Sequence, residues 1–335
     1  AVSCMLYLDF GKQDGEWLPN RYGGHDNLDA VAFFRKLNSA VGKLPGGKML
    51  FAEESSAYPY ITRPASEDGL GFAYKWNMGW MNDVLSYMEM DSIYRKYHHD
   101  KLTFSLCYAF SEHYILPFSH DEVVHGKKSL LSKMPGDYWQ KFAQLRLLFA
   151  YQFAHPGKKL MFMGDEFGQF IEWKFDDSLD WFLLDYPKHA EMQLYVHDLN
   201  HFYAQTPPMF ECDDSWRGFR WCGVDDNIHS ILSFLRIDRD GNALLWTFNF
   251  TPQPWSDYMI GVPYYGEYTE IFSSDAPYYG GTGDYPNAPT MAEDEPYGEQ
   301  PCRIRLRLPP FAAVCYTLTP KPLPKKRRES EEGDA

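Results

Sequence analysis

The segment LPFSHDEVVHGKKSL, residues 116–130, places His120, Asp121, Glu122, His125, Lys127 and Lys128 directly behind a short apolar run. That run reads as a strand, so the ionisable groups would stand at its mouth, where the active site of a parallel α/β barrel is built. Two further acidic positions share this context. Glu53 ends the apolar run KMLFAE, and Asp165 or Glu166 follows KLMFM in a Gly-bounded loop. A single acidic residue after a strand can equally cap a helix or sit solvated in a loop. Recurrence in one structural context is what makes Glu53, Asp121 and the Asp165–Glu166 pair candidates for catalysis. His120 and His125 lie five residues apart on a predicted loop, with no HExxH pattern and no Cys partner, so no metal is expected there. The chain shows no GxSxG elbow and no glycine-rich phosphate cradle.

The elements that must carry these groups alternate between helix and strand from about residue 25 to 205, which predicts an α/β design. HDNLDAVAFFRKLNSAV has a seam of Leu28, Val31, Ala32 and Leu37, and KMLFAE follows as a short buried strand. Met81, Val84, Leu85 and Met88 recur at helical spacing, as do Tyr138, Phe142, Leu145 and Phe149, and then Met192, Val196, Leu199 and Phe202. YILPF and KLMFM read as strands. Beyond residue 205 the texture changes. Two apolar runs flank Asp240-Gly241, a hairpin signal, and RIRLRL alternates with the period of a half-buried strand whose expected partner is AAVCYTL. Residues 206–320 therefore read as an all-β domain with a Gly/Tyr/Pro-rich loop near 273–300. The tail, residues 321–335, has a basic then an acidic block and no apolar pattern, and is expected to be disordered.

Composition narrows the partners. The 335 residues allow a sizeable core and two domains. A net charge of −14 argues against nucleic acid or an anionic membrane and suits a neutral polymer or small molecule. The 10 Trp and 24 Tyr could supply flat faces for sugars, although core filling accounts for most aromatics. The six cysteines are scattered without a CxxC pair, which fits mostly buried thiols in a reducing cytoplasm. Neither a spanning apolar run nor a signal peptide is evident, and the chain does not open on Met, so it is expected to be processed or to start mid-protein.

KMLFAEESSAYP, GLGFAYKWNMGWMNDVL, LPFSHDEVVHGKKSL, MGDEFGQ with EW shortly after, and SLDW stand in the order seen in bacterial glycogen branching enzymes. From residue 1 to about 320 the chain resembles that group, which belongs to the α-amylase-like glycoside hydrolase family. The resemblance implies the C-terminal half of a (β/α)8 TIM-type barrel over residues 1–205, followed by a β-sandwich domain over 206–320. It implies a retaining transfer in which α-1,4 links are cut and α-1,6 branches made, without a cofactor. Glu53 matches the acid/base, Asp121 the carboxylate that stabilises the transition state, and His120 a hydrogen bond to the same sugar. Trp76 and Trp80 are candidate sugar platforms, or core.

By the same resemblance the nucleophilic Asp would precede Ala1, and the first half of the barrel would be missing. The isolated chain is accordingly expected to be inactive and poorly soluble, its open sheet edges needing that missing half as a partner. An α-glucan hydrolase or maltosyltransferase of the same family stays open as an alternative, as does a non-catalytic glucan-binding fragment.

Overall fold

The computed structural model describes residues 2–324; the expected disordered tail falls for the most part on 325–335, which lie outside the described residues. Two compact units emerge, one of Ala1–Asn82, Phe104–Pro117 and Gly157–Leu160, the other of Asp83–Thr103, Phe118–Pro156 and Met161–Ala335. They interleave along the chain.

The first unit holds a four-stranded parallel sheet, β1 (Phe51–Ala52), β2 (Tyr74–Trp76), β3 (Tyr114–Pro117) and β4 (Lys158–Leu160), hydrogen-bonded in that order. Helix α1 (Leu28–Val41) is capped by Asn27, whose side chain accepts from the Ala30 amide. Its buried stripe is Ala30, Val31, Phe34 and Asn38, and it packs with Leu6, Ala52, Ile61, Leu70 and Phe72 into a small core. Ala32, expected in the seam, is exposed: the stripe runs one position earlier, through Ala30 and Phe34. The expected buried strand is only half buried, with Ala52 inside and Phe51 outside, as period-two alternation requires. Only Lys158–Leu160 of the run leading to Gly164 is strand.

Helix α2 spans Met78–Met88, and Met81, Val84, Leu85 and Met88 are all buried, as their spacing predicts. Helices α3 (Tyr138–Ala154) and α4 (Pro187–Gln205) belong to the second unit. Asp137 and Gln140 close a reciprocal capping box at the start of α3. From Phe142 to Ala154 every residue of α3 is buried, so beyond its first turn this helix is a core element with no wet face.

The remaining strands are β5 (Phe219–Gly223), β6 (Ile231–Ile237), β7 (Ala243–Asn249), β8 (Trp255–Val262), β9 (Gly266–Ser273), β10 (Thr290–Met291), β11 (Cys302–Leu308) and β12 (Ala312–Pro320). Six form an antiparallel sheet in the order β10-β9-β12-β7-β6-β5, and β11 pairs with β8 in a second. The hairpin expected around Asp240-Gly241 joins β6 and β7, with Gly241 at φ +87°. The expected pairing of RIRLRL with AAVCYTL is overturned. β11 lies antiparallel to β8, from Cys302 opposite Val262 to Leu306 opposite Tyr258, while β12 sits between β7 and β9. Alternation fixes which face of a strand is buried but not its neighbour. Ile304, Leu306 and Leu308 meet Leu235, Leu245, Ile260 and Tyr316 in one core.

Among the described residues, three arginines are buried in the second unit, and each donates to main-chain carbonyls. Arg95 donates to Phe250 O at 2.7 Å and Met88 O at 2.8 Å, and Arg146 donates to Ser274 O at 2.8 Å. Arg236 donates to Ala154 O at 2.7 Å. Burial lowers the Arg95 and Arg146 guanidinium pKa values to about 10, so both remain charged at neutral pH. Of the six cysteines, Cys212, Cys302 and Cys315 are buried and Cys222 is partly so, in line with the expectation of mostly buried thiols, whereas Cys4 and Cys107 are exposed.

Candidate active site

In the first unit the chain leaves β1 in an extended course, so Phe51 and Glu53 face one way and Ala52 and Glu54 the other. The two adjacent glutamates consequently have different environments. Glu54 is buried, sits 2.8 Å from Lys75 Nζ and accepts the Ser56 amide at 2.8 Å. Lys75 also donates to Ser56 O at 2.7 Å. This ion pair pins the loop after β1, and Glu53 is left partly exposed, with its carbonyl accepting the Val2 amide at 2.9 Å. A carboxyl free to exchange protons at a strand end is what acid/base work needs, and Glu54 in its pair is poorly suited to it.

The same loop borders a cavity of about 450 Å³ lined by Ser56, Tyr58, Tyr60, Trp76, Tyr108 and Glu112, among others. Glu112, buried, accepts the Ile61 amide at 2.9 Å and the Thr62 amide at 2.8 Å, and takes a short bond from the Thr62 hydroxyl. It thereby fixes the far wall. Trp76 is half-buried and lines this cavity, but Trp80 is fully buried. Trp80 therefore offers no ring face to a sugar, and its place as a candidate platform is corrected to core.

In the second unit His120, Asp121 and Glu122 form a single 3-10 turn. Ser119 caps it by accepting the Asp121 amide at 3.3 Å, and Glu122 reaches back to the Ser119 amide at 2.6 Å and hydroxyl at 2.7 Å. Glu122 is spent on the turn, which leaves His120 and Asp121 outward and roughly half exposed, their Nε2 and Oδ1 atoms 3.2 Å apart. The imidazole is boxed by Phe162 and Trp173 at ring-centre distances of 6.1 and 6.0 Å. Trp173 is held in turn by its amide on Val123 O at 2.8 Å.

Glu172 closes the loop. It accepts the Gly126 amide at 2.9 Å and the Lys128 amide at 2.6 Å, and lies 3.4 Å from His125 Nδ1. These bonds hold Lys128 at φ +65°, a left-handed conformation unusual outside glycine. The backbone amides of Gly126 and Lys128 lower the Glu172 pKa, so the clamp strengthens above the ordinary carboxylate range and weakens as pH falls below it. Glu172→Gln is expected to speed amide hydrogen exchange at Gly126 and Lys128 near neutral pH, readable by NMR, with little change elsewhere.

Asp165, the third candidate, is buried in a turn bracketed by Gly164 and Gly168, both in the left-handed region. Burial first, and then the neighbouring Glu166, push its pKa well above the ordinary carboxylate value. A carboxyl whose pKa is raised on folding supports the folded state below its unfolded pKa and loses that support as pH rises through the folded value. Asp165→Asn is therefore expected to raise the midpoint of thermal unfolding at pH 7, by an amount worth on the order of 1 kcal/mol, and to have little effect in acid.

Sequence reasoning named Glu53, His120 and Asp121 as candidates but not the residues packed around them. The Glu54–Lys75 pair, Glu112 and the Glu172–Trp173 clamp act across long sequence separations; only the EE doublet and the EW dipeptide hinted at them.

The comparisons bear on the whole chain. Residues 221–319 match the alpha amylase, C-terminal all-beta domain. The chain is 53% identical over 317 residues to the 1,4-alpha-glucan branching enzyme GlgB of Halothermothrix orenii, covering 94% of this chain and 50% of that protein. It is 50% identical over 319 residues to the enzyme of the same name from Nitrosococcus oceani, covering 95% and 42%. The chain thus spans about half the length of the curated relatives it matches. Among solved structures, an alpha-amylase from H. orenii matches with a TM-score of 0.55 at 13% identity, over 90% of this chain and 58% of that one. One from Geobacillus thermoleovorans matches at 0.54 and 13%, over 87% and 58%. At that identity these two speak for the fold alone. Taken with the close sequence relatives, they mean that the chain belongs to the α-amylase-like family, within its branching-enzyme group.

Proposed function

We propose that this chain carries the acid/base half of a 1,4-α-glucan branching site, cutting α-1,4 links and remaking them as α-1,6 branches on glycogen-like glucans. The observation that supports the reading is the difference in environment between the neighbours Glu53 and Glu54. One glutamate is locked to Lys75, and the other stands free past the strand end. Glu53 protonates the leaving glycosidic oxygen and later takes the proton of the incoming 6-hydroxyl. Asp121 stabilises the oxocarbenium-like transition state, and His120, held against Phe162 and Trp173, hydrogen-bonds the same sugar. A third carboxylate, the nucleophile, is required by a retaining mechanism and is not assigned to any residue here.

The proposed architecture is half of a (β/α)8 barrel over residues 1–205 with a β-sandwich over 206–320, completed by the remaining half of the barrel. Trp76, at the cavity wall, is the one aromatic we keep as a sugar contact. No helix of the described residues is long and apolar enough to cross a membrane, and a cytoplasmic glucan metabolism is the proposed setting.

Linear amylose incubated with this chain and the complementary half of a branching enzyme tests the reading, with new α-1,6 anomeric protons counted by NMR. The expected result is branch formation that disappears in Asp121→Asn. Release of short linear glucans without new branches would favour the hydrolase reading instead.

A further inference from the structure

Helix α4 carries the sequence His197-Asp198-Leu199-Asn200-His201, two histidines four residues apart on a regular helix. At 3.6 residues per turn they share one face, one above the other. Their ring centres lie 4.5 Å apart, with the planes tilted by 56°. Leu199, on the opposite side, is buried and anchors the helix, while both imidazoles are exposed to solvent. A hydrated ion can reach them without any opening of the fold.

The pair is backed by a second layer. His197 Nδ1 is 2.8 Å from Asp198 Oδ1, and the other oxygen of that carboxylate accepts the Tyr279 hydroxyl at 2.8 Å. Tyr279 is itself buried, so the carboxylate is held from the protein side. In the tautomer whose Nδ1–H donates a hydrogen bond to Asp198, His197 keeps its lone pair on Nε2. This carboxylate–imidazole arrangement orients metal-binding histidines and raises their basicity. None of these residues has a part in the glucan chemistry proposed above.

We propose that His197 and His201 form a site for a divalent transition-metal ion of the zinc class, with Asp198 as its positioning residue. Two imidazole nitrogens bind the ion and water fills the other positions. The ligand set suits zinc, copper or nickel and offers nothing to calcium or magnesium, which want an oxygen cage. No group of three or more metal-ligating side chains is arranged to hold an ion among the described residues, so the site is open and weaker than a closed structural zinc centre.

The test is titration of the full chain with zinc chloride by calorimetry, beside His201→Gln, His197→Gln and Asp198→Asn. One ion per chain is expected for the native protein, with that binding event lost in either histidine variant. Asp198→Asn is expected to weaken it by about 10–100-fold, copper to bind more tightly than zinc, and magnesium not at all. The histidines are exposed, so their replacement leaves the fold intact, which circular dichroism checks. Zinc binding unchanged in the double variant His197→Gln/His201→Gln, or no binding by the native chain, would overturn the site. Unchanged affinity in Asp198→Asn would overturn the positioning role alone.

Discussion

With the chain joined by the complementary half of the barrel, and on the proposed branching reading, replacing Glu53 with Gln is expected to lower α-1,6 branch formation from amylose by about 10²- to 10⁴-fold, the range that a positioned general acid contributes. Glutamine keeps the size and most of the polarity of the side chain but cannot give a proton to the leaving glycosidic oxygen or take one from the acceptor hydroxyl. Amylose affinity should change little, because the loss lies in the transition state and not in binding. Glu54→Gln separates the two neighbours. It breaks the pair with Lys75 and leaves a buried cation without its partner. Its expected signature is a lower unfolding midpoint, with residual transfer in whatever fraction stays folded. Equal loss of transfer in the two variants, at equal stability, would mean that the roles assigned here are wrong.

The largest stability effect is expected at Arg236. Its guanidinium is fully buried and lies 2.5 Å from Asp213 Oδ1, and it donates to Ala154 O at 2.7 Å and Gly218 O at 3.3 Å. It ties strand β6 to the end of α3 and to the segment leading into β5. Arg236→Met strips those carbonyls of their donor and removes the cation that faces the nearly buried Asp213 carboxylate. The expected cost is about 3–5 kcal/mol, measured by urea unfolding followed through tryptophan fluorescence. Arg236→Met combined with Asp213→Leu removes both charges of the pair and should recover part of that loss, because the buried carboxylate then no longer lacks the cation it faced. A single variant as stable as the native chain would show that the buried pair contributes little.

Local features were the legible ones. The Asp240-Gly241 turn announces its hairpin, since its chemistry lies within four residues. Met81, Val84, Leu85 and Met88 give α2 because helical spacing is itself local. Glu53, His120 and Asp121 were candidates through strand-end position and family likeness, and remain the proposed site. What escaped notice depends on contacts far apart in the chain. RIRLRL displays its buried face, yet its partner is Trp255–Val262, some forty residues earlier, and nothing in the alternation says so. Trp80 and Trp76 stand four residues apart in one motif, and only packing makes one core and leaves the other at a cavity. Glu172 clamps amides 44 and 46 residues away. The HDLNH face of α4 was present in the sequence throughout; what the structure adds is the Tyr279 bond that fixes its carboxylate.

Fluoride release from an α-maltooligosyl fluoride is the most direct test of the central claim, that Glu53 acts by proton transfer and Asp121 by stabilising charge. Fluoride leaves without protonation, so the first step no longer needs the acid. The assay compares this chain, joined by the complementary half of the barrel, with its Glu53→Gln and Asp121→Asn variants. The account predicts that Glu53→Gln releases fluoride in the first turnover at a rate near the native one, then stalls for want of a base and fails to branch amylose, and that Asp121→Asn loses both. First-turnover fluoride release crippled in Glu53→Gln as severely as amylose branching would contradict it.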